Sequence, residues 1–134
     1  MHDPRSWWRL RSVPGIGEVL GLVMLYEIHD IERFARDQNF CSYARLVKCP
    51  KQSAGKNYGY SGNKIGNAHL KWAFSEAVCL MMRELPQAKA FVDTQAKKHG
   101  KGKAMAILTH KLGRAVYYML KRKEAFDPKY FFAK

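Results

Sequence analysis

The sequence predicts an all-α fold, and three observations carry that prediction. Alternating runs of β-branched and aromatic residues, the mark of strands, are nearly missing. Several segments repeat apolar residues at helical spacing. Those segments open on capping residues and close on Pro or Gly. With 134 residues and a hydrophobic share of 47%, the chain can bury one core, so residues 1–134 read as a single compact multi-helix domain.

The elements follow in order. Asp3 as N-cap and Pro4 at the first position predict a short helix over residues 4–12. Val13-Pro14-Gly15-Ile16-Gly17 reads as a tight turn. Glu18 to Ile28 is apolar nearly all round, which predicts a helix central to the core. Asp30 caps a short helical turn through Phe34, and Asp37 or Asn39 caps a helix reaching about Val47. Residues 48–66 contain Pro50 and four of the ten glycines, Gly55, Gly59, Gly62 and Gly66, and read as a loop. Asn67 then caps a long helix to Leu85, stopped by Pro86, with Leu70, Phe74, Val78 and Met81 or Met82 on one stripe. A further helix spans about Pro86 to Lys98, broken by Gly100 and Gly102. Ala104 to Lys123 forms the last long helix, its core stripe being Ile107 or Leu108, Leu112, Ala115 or Val116, and Met119. The aromatic tail Phe126 to Phe132 is expected to dock on the body.

Charge narrows the function. The net charge is +13, and it is unevenly spread. Residues 1–47 hold six arginines and six acids and sum to zero. Residues 48–134 hold the other 18 bases against 5 acids, and no acid occurs from Lys48 through Ser75 or from Thr94 through Lys123. Two acid-free windows in one small domain point to a polyanion partner, most simply double-stranded DNA. Cys41, Cys49 and Cys79 form no CxxC pair and no even framework, which fits a reducing, intracellular chain, and Cys79 reads as core; with a DNA partner the expected location is the cytoplasm, at the bacterial nucleoid. No run approaches the ~18 apolar residues of a membrane span, and Asp3, Pro4 and three early arginines do not make a signal peptide.

Two motifs carry chemistry. Leu10-x-x-Val13-Pro14-Gly15-Ile16-Gly17-x-x-x-Gly21 resembles the hairpin of a helix-hairpin-helix DNA-binding motif. Gly15 and Gly17 would let the backbone approach a phosphate, with Arg9 and Arg11 assisting; the alternative is a Pro-Gly turn between two buried helices. The second motif is Gln52-Ser53-Ala54-Gly55-Lys56, followed by Gly66-Asn67-Ala68-His69-Leu70-Lys71. A serine here sits in a glycine-rich loop with Lys48, Lys51 and Lys56 around it and Lys64 and Lys71 beyond, while Tyr58 and Tyr60 interleave aromatics. Such a loop can hold a phosphate or, with its hydroxyl activated, attack one. It can also be an ordinary Ser-Ala-Gly turn. The five histidines are scattered and have no carboxylate or cysteine at ligand spacing, so no metal site is expected in this chain. His99 and His110 read as extra polar or phosphate contacts, and Lys121-Arg122-Lys123 as a nucleic-acid patch or a charge cluster at a helix C-terminus.

The order Pro14-Gly15-Ile16-Gly17, Glu27-Ile28, Phe34, Ser42-Tyr43, Ser53-x-Gly55-Lys56, Lys64-x-Gly66-Asn67-x-x-Leu70-Lys71 and Lys111-Leu112 is similar to the C-terminal domain of the insertion-sequence transposases related to the Piv pilin invertase. The resemblance covers residues 7–123. It implies site-specific DNA recombination by a serine nucleophile, carried over to Ser53 with Ser61 second, beside metal-bound carboxylates of an N-terminal RuvC-like DEDD nuclease domain. It implies Mg²⁺ in that other domain, no cofactor in this one, and a guide RNA and homo-oligomer in some full-length members. Phosphates would be held by Gly15, Gly17, Lys51, Lys56, Lys64, Asn67 and Lys71. Lys71 stands where an arginine is usual, keeping the charge but losing the bidentate fork, and the loop reads Ser-Ala-Gly rather than Ser-Gly-Gly. No four-carboxylate site is present in the chain, which therefore reads as a fragment or excised domain. A non-catalytic helix-hairpin-helix module, needing Gly15 and Gly17 but not Ser53, is the alternative.

Overall fold

The computed structural model describes residues 4–46 and 66–132. They contain only helices: α1 (Pro4–Arg11), α2 (Glu18–Ile28), a 3₁₀ turn (Ile31–Arg33), α3 (Asp37–Tyr43), α4 (Ala68–Glu84), α5 (Pro86–His99), α6 (Lys101–Arg122) and α7 (Pro128–Phe132). No strand occurs among the described residues, so the all-α expectation holds.

α6 is the central element and packs on α5 along most of its length, with α1, α3 and α4 also against it. Its buried stripe is Leu108, Leu112, Val116, Met119 and Leu120, which resolves the two alternatives left by the periodicity. α4 presents Leu70, Phe74, Val78 and Met81 to the same core, each fully buried. Phe40 of α3 sits between them, edge-on to Phe74 at 6.0 Å and to Phe34 at 5.3 Å. The one polar atom Tyr117 brings inward is satisfied, its hydroxyl donating to the Phe34 carbonyl at 2.9 Å. That bond ties α6 to the segment before α3 at no desolvation cost.

Side-chain caps fix two of the helix starts. Asp30 accepts from the Glu32 amide at 2.9 Å, and Asn67 accepts from Leu70 at 3.0 Å. Leu85 takes an extended conformation before Pro86, so α4 ends where proline forbids the preceding residue a helical backbone.

Four expectations are corrected. α3 stops at Tyr43 rather than near Val47, because Arg45 turns to φ +59 and the Leu46 amide donates back to Cys41 at 2.9 Å, closing the helix end. Gly102 does not break a helix; the break is Gly100 alone, at φ +90, and α6 begins at Lys101. Cys79 is exposed, while Cys41 is the buried thiol, its pKa pushed up to about 11 first by burial and then by Asp37. α2 is buried only along Leu20, Gly21, Met24 and Ile28. Its opposite face leaves Val19, Leu22 and Tyr26 at 67%, 52% and 77% exposure, so an apolar surface in sequence is not a wholly buried helix here.

The Pro14–Gly17 hairpin packs inward. Val13 and Ile16 are buried, and Gly15 lies against the backbone of α4. A Cβ on Gly15 would come within 2.5 Å of the Ala77 carbonyl oxygen and 2.8 Å of the Met81 nitrogen. Gly21 plays a similar part for α1, since a Cβ there would meet the Trp7 ring nitrogen at 3.3 Å.

Candidate nucleic-acid interface

Ser53, Ser61, Lys51, Lys56 and Lys64 lie outside the described residues. What the structure defines is the stem formed by the residues that flank them, Tyr43 to Leu46 and Gly66 to Asn67. The Asn67 amide donates to the Tyr43 carbonyl at 2.6 Å, so the two ends of the segment are fastened to each other. Gly66 makes this approach sterically feasible. Its φ is +102, and a Cβ would stand 2.8 Å from the Tyr43 carbonyl oxygen and 2.6 Å from the Arg45 side chain.

The Asn67 side chain completes the fastening. Its oxygen caps α4, and its nitrogen donates to Glu27 Oε1 at 2.7 Å and to the Tyr43 hydroxyl at 3.2 Å. Both amide protons are therefore committed inside the protein. In this structure Asn67 is a clamp between α2, α3 and α4, and its side chain has no donor left to offer a phosphate. The bonds from Asn67, and next those from Arg33, favour the phenolate and lower the Tyr43 pKa from its ordinary value. Arg33 lies over the Tyr43 ring at 5.0 Å.

Asn67→Ala removes a helix cap and two side-chain bonds together. It is expected to lower the unfolding free energy by about 1–2 kcal/mol in urea titrations. A change below about 0.3 kcal/mol would mean the clamp contributes nothing.

The remaining candidates separate. Lys71 is exposed on the first turn of α4, beside the stem, with no ion pair among the described residues. Gly17 is also exposed, with open space where its Cβ would be. Gly15 is buried, so its backbone approach is to α4. Of the Lys121-Arg122-Lys123 cluster, Lys121 pairs with Glu32 at 2.7 Å and Arg122 lies over Tyr118 at 4.6 Å. His110 is half-buried between helices, and burial lowers its pKa, with Arg114 acting in the same sense. Arg114 itself is bound to Asp37 at 2.8 Å, which holds the Asp37 carboxyl below its usual range. Among the described residues no group of three or more His, Cys, Asp or Glu side chains could hold a metal.

Two features were not foreseen in the sequence. Glu27, Tyr43 and Arg33 form the polar buttress of the stem; only the recurrence of Glu27 and Tyr43 in the ordered motifs hinted at it. The exposed face of α2 meets Trp72, itself 50% exposed. Leu22, Leu25, Tyr26, Glu27, His69 and Trp72 line a cavity of about 470 Å³ between α2 and α4.

The order of hairpin, Glu27, Tyr43, Gly66-Asn67 and α4 is thus one folded unit. Residues 8–93, which contain all of it, match the model of the IS116/IS110/IS902 transposase family. The chain belongs to this family. It is 28% identical over 124 residues, 89% of this chain and 30% of the relative, to the 44.8 kDa insertion element IS116 protein of Streptomyces clavuligerus. It is 29% identical over 99 residues to the 43.6 kDa insertion element IS110 protein of Streptomyces coelicolor, 74% of this chain and 24% of the relative. It is 21% identical over 122 residues to the transposase of insertion sequence element IS1111A of Coxiella burnetii, covering 88% of this chain and 34% of that protein. The chain thus spans about a quarter to a third of the length of the curated relatives it matches. No described helix of this family member is long and apolar enough to cross a membrane.

Proposed function

We propose that this chain is the DNA-binding and serine-nucleophile domain of an insertion-sequence transposase. The observation that carries the reading is the stem. Gly66, Asn67 and Tyr43 hold the two ends of a lysine-rich, acid-free serine loop together at the start of α4, inside the segment that matches the transposase family. Fixing the ends of a loop reduces the freedom it must lose when it engages a phosphate.

In the proposed step, Ser53 Oγ attacks a backbone phosphorus. An Oγ–P bond forms, the P–O3′ bond breaks, and the hydroxyl proton ends on the departing 3′ oxygen. The result is a phosphoserine link and a free 3′-hydroxyl, with no net change in phosphodiester count. A later attack by a 3′-hydroxyl on that link reverses the chemistry and rejoins strands. Lys51, Lys56, Lys64 and Lys71 hold the flanking phosphates, and the exposed backbone at Gly17 adds a contact. Carboxylates for Mg²⁺ belong, in this reading, to a separate nuclease domain, and the guide RNA and oligomer to the full-length protein.

The test is DNA binding by the chain itself. Fluorescence anisotropy with a random-sequence duplex should show little sequence preference. With 5–8 phosphate contacts the log–log salt slope should be roughly −5 to −7. Affinity that does not change between low and moderate salt would remove the basis of the reading. A reading without chemistry, as a DNA-binding module alone, differs only in the behaviour of Ser53.

A further inference from the structure

The second acid-free window, residues 94–123, holds nine lysines and arginines. The structure divides them. Lys111 lies over the rings of Phe91 and Phe131 at 5.9 and 5.1 Å. Arg114 pairs with Asp37, Lys121 with Glu32, and Arg122 covers Tyr118. Lys123 is exposed and unpaired among the described residues, but it stands alone at the far end of α6, at its left-handed C-cap. The four left, Lys97, Lys98, Lys101 and Lys103, crowd into seven residues at the tip of the α5–α6 hairpin.

All four tip lysines are exposed, as are His99, Gly100 and Gly102 between them. None has an acidic partner among the described residues, where the ion pairs are Lys89–Asp93, Arg114–Asp37 and Lys121–Glu32. Four like charges so close repel one another; Lys97 and Lys98 gain from the C-terminal turn of α5, but Lys101 and Lys103 stand in the first turn of α6, where the helix dipole disfavours cations. Gly102 adds to this. It is helical and exposed, with open space around the position of its missing Cβ, so neither its backbone angle nor packing within the chain calls for glycine. A surface kept free of side-chain bulk and lined with uncommitted cations suits a backbone of phosphates.

We propose that the α5–α6 hairpin tip is a second nucleic-acid contact, a clamp on the phosphodiester backbone of double-stranded DNA, separate from the serine loop. It rests on the DNA-binding reading above. It lies beyond residue 93, where the match to the family model ends. The chemistry favours a duplex over single strands. Single-stranded nucleic acid is gripped by aromatic rings on which bases stack, and residues 94–104 contain no Phe, Tyr or Trp. Packed helix axes stand about 8–10 Å apart, and a DNA strand carries one phosphate per ~3.4 Å of axis. Lysines on both arms of the tip can therefore reach two or three phosphates together. Such contacts position the protein on DNA without reading sequence.

The experiment compares the parent with the set Lys97→Gln, Lys98→Gln, Lys101→Gln and Lys103→Gln, and with the same four changed to Arg. Duplex binding is read by anisotropy across a salt series, and folding by circular dichroism. The Gln set should weaken binding on the order of 10- to 100-fold at moderate salt and make the slope shallower by roughly 3, whereas the Arg set should keep the parent slope. Independently of any variant, the four lysines of the parent should be protected from amine acetylation when duplex is bound. If the parent binds duplex but the Gln set keeps its affinity and slope, or the lysines stay reactive, the clamp is wrong and the wider reading stands. If the parent does not bind duplex, both fail. Tight binding of single-stranded RNA without duplex binding overturns the duplex assignment.

Discussion

Under the proposed function, Ser53→Ala is expected to abolish recombination in a full-length transposase that includes the proposed nuclease domain, while DNA affinity stays within about fivefold of the parent. The asymmetry follows from what a hydroxyl can do. As a contact it contributes at most about 1 kcal/mol to a network dominated by lysines. In the proposed step it forms the bond on which every later step depends, and alanine has no atom to replace it. Lys56→Ala should do the reverse, weakening binding in a salt-dependent way and reducing the slope by about one. Ser61→Ala should be mild and serves as the control within the same loop. A nicked suicide substrate gives the direct readout, because covalently trapped DNA should appear on the peptide containing Ser53. Trapping on Ser61, or normal recombination by Ser53→Ala, would leave the loop as a phosphate clamp only.

The parts of this fold that could be read from sequence are those with a local cause. Asn67, Asp30 and Pro86 mark helix ends because capping and the missing proline N–H act within a turn. The stripes of α4 and α6 were legible because a helix with one buried face repeats at its own period. α2 was misjudged for a related reason. Its apolar face turned outward at Val19, Leu22 and Tyr26 has the same composition as its inward face, and periodicity cannot distinguish them. The end of α3 depends on a left-handed arginine, which no composition rule anticipates. In the site, the serine and its lysines stood out as chemistry in a loop. The clamp did not, because Glu27, Tyr43 and Asn67 come from three helices 24 and 40 residues apart in sequence and meet only in the fold. The uncommitted status of the hairpin lysines was equally hidden, since a run of charge looks the same whether or not each member has found a partner.

Gly15→Ala should give the largest loss of stability of any single methyl group added to this chain. Two costs add. Gly15 holds φ +107, where an L side chain is strained, by roughly 1–2 kcal/mol. The new Cβ would also stand 2.5 Å from the Ala77 carbonyl oxygen and 2.8 Å from the Met81 nitrogen. Both are backbone atoms of α4 and cannot rotate away as a side chain would. Forcing hairpin and helix apart adds overpacking of about 1–3 kcal/mol, so the total is on the order of 2–5 kcal/mol. Against the ~5–15 kcal/mol that stabilises a typical domain, this leaves a protein that melts at much lower temperature or does not fold. Gly17 is the internal comparison. Its φ of −92 and ψ of −164 are open to any residue, it is exposed, and nothing lies within 4 Å of an added Cβ. Gly17 is the N-cap of α2, where alanine is the poorer residue, so Gly17→Ala should cost only about 0.5–1 kcal/mol and leave a folded protein. Any loss of DNA affinity in that variant is then a contact effect and not a folding effect. The two glycines of one motif are thus expected to divide the labour: Gly15 seats the hairpin on α4, and Gly17 presents backbone to a phosphate. Urea unfolding of both variants, with anisotropy on Gly17→Ala, decides it. A Gly15→Ala protein as stable as the parent would show that the hairpin does not pack on α4, and an unaltered DNA affinity in Gly17→Ala would remove the hairpin from the interface.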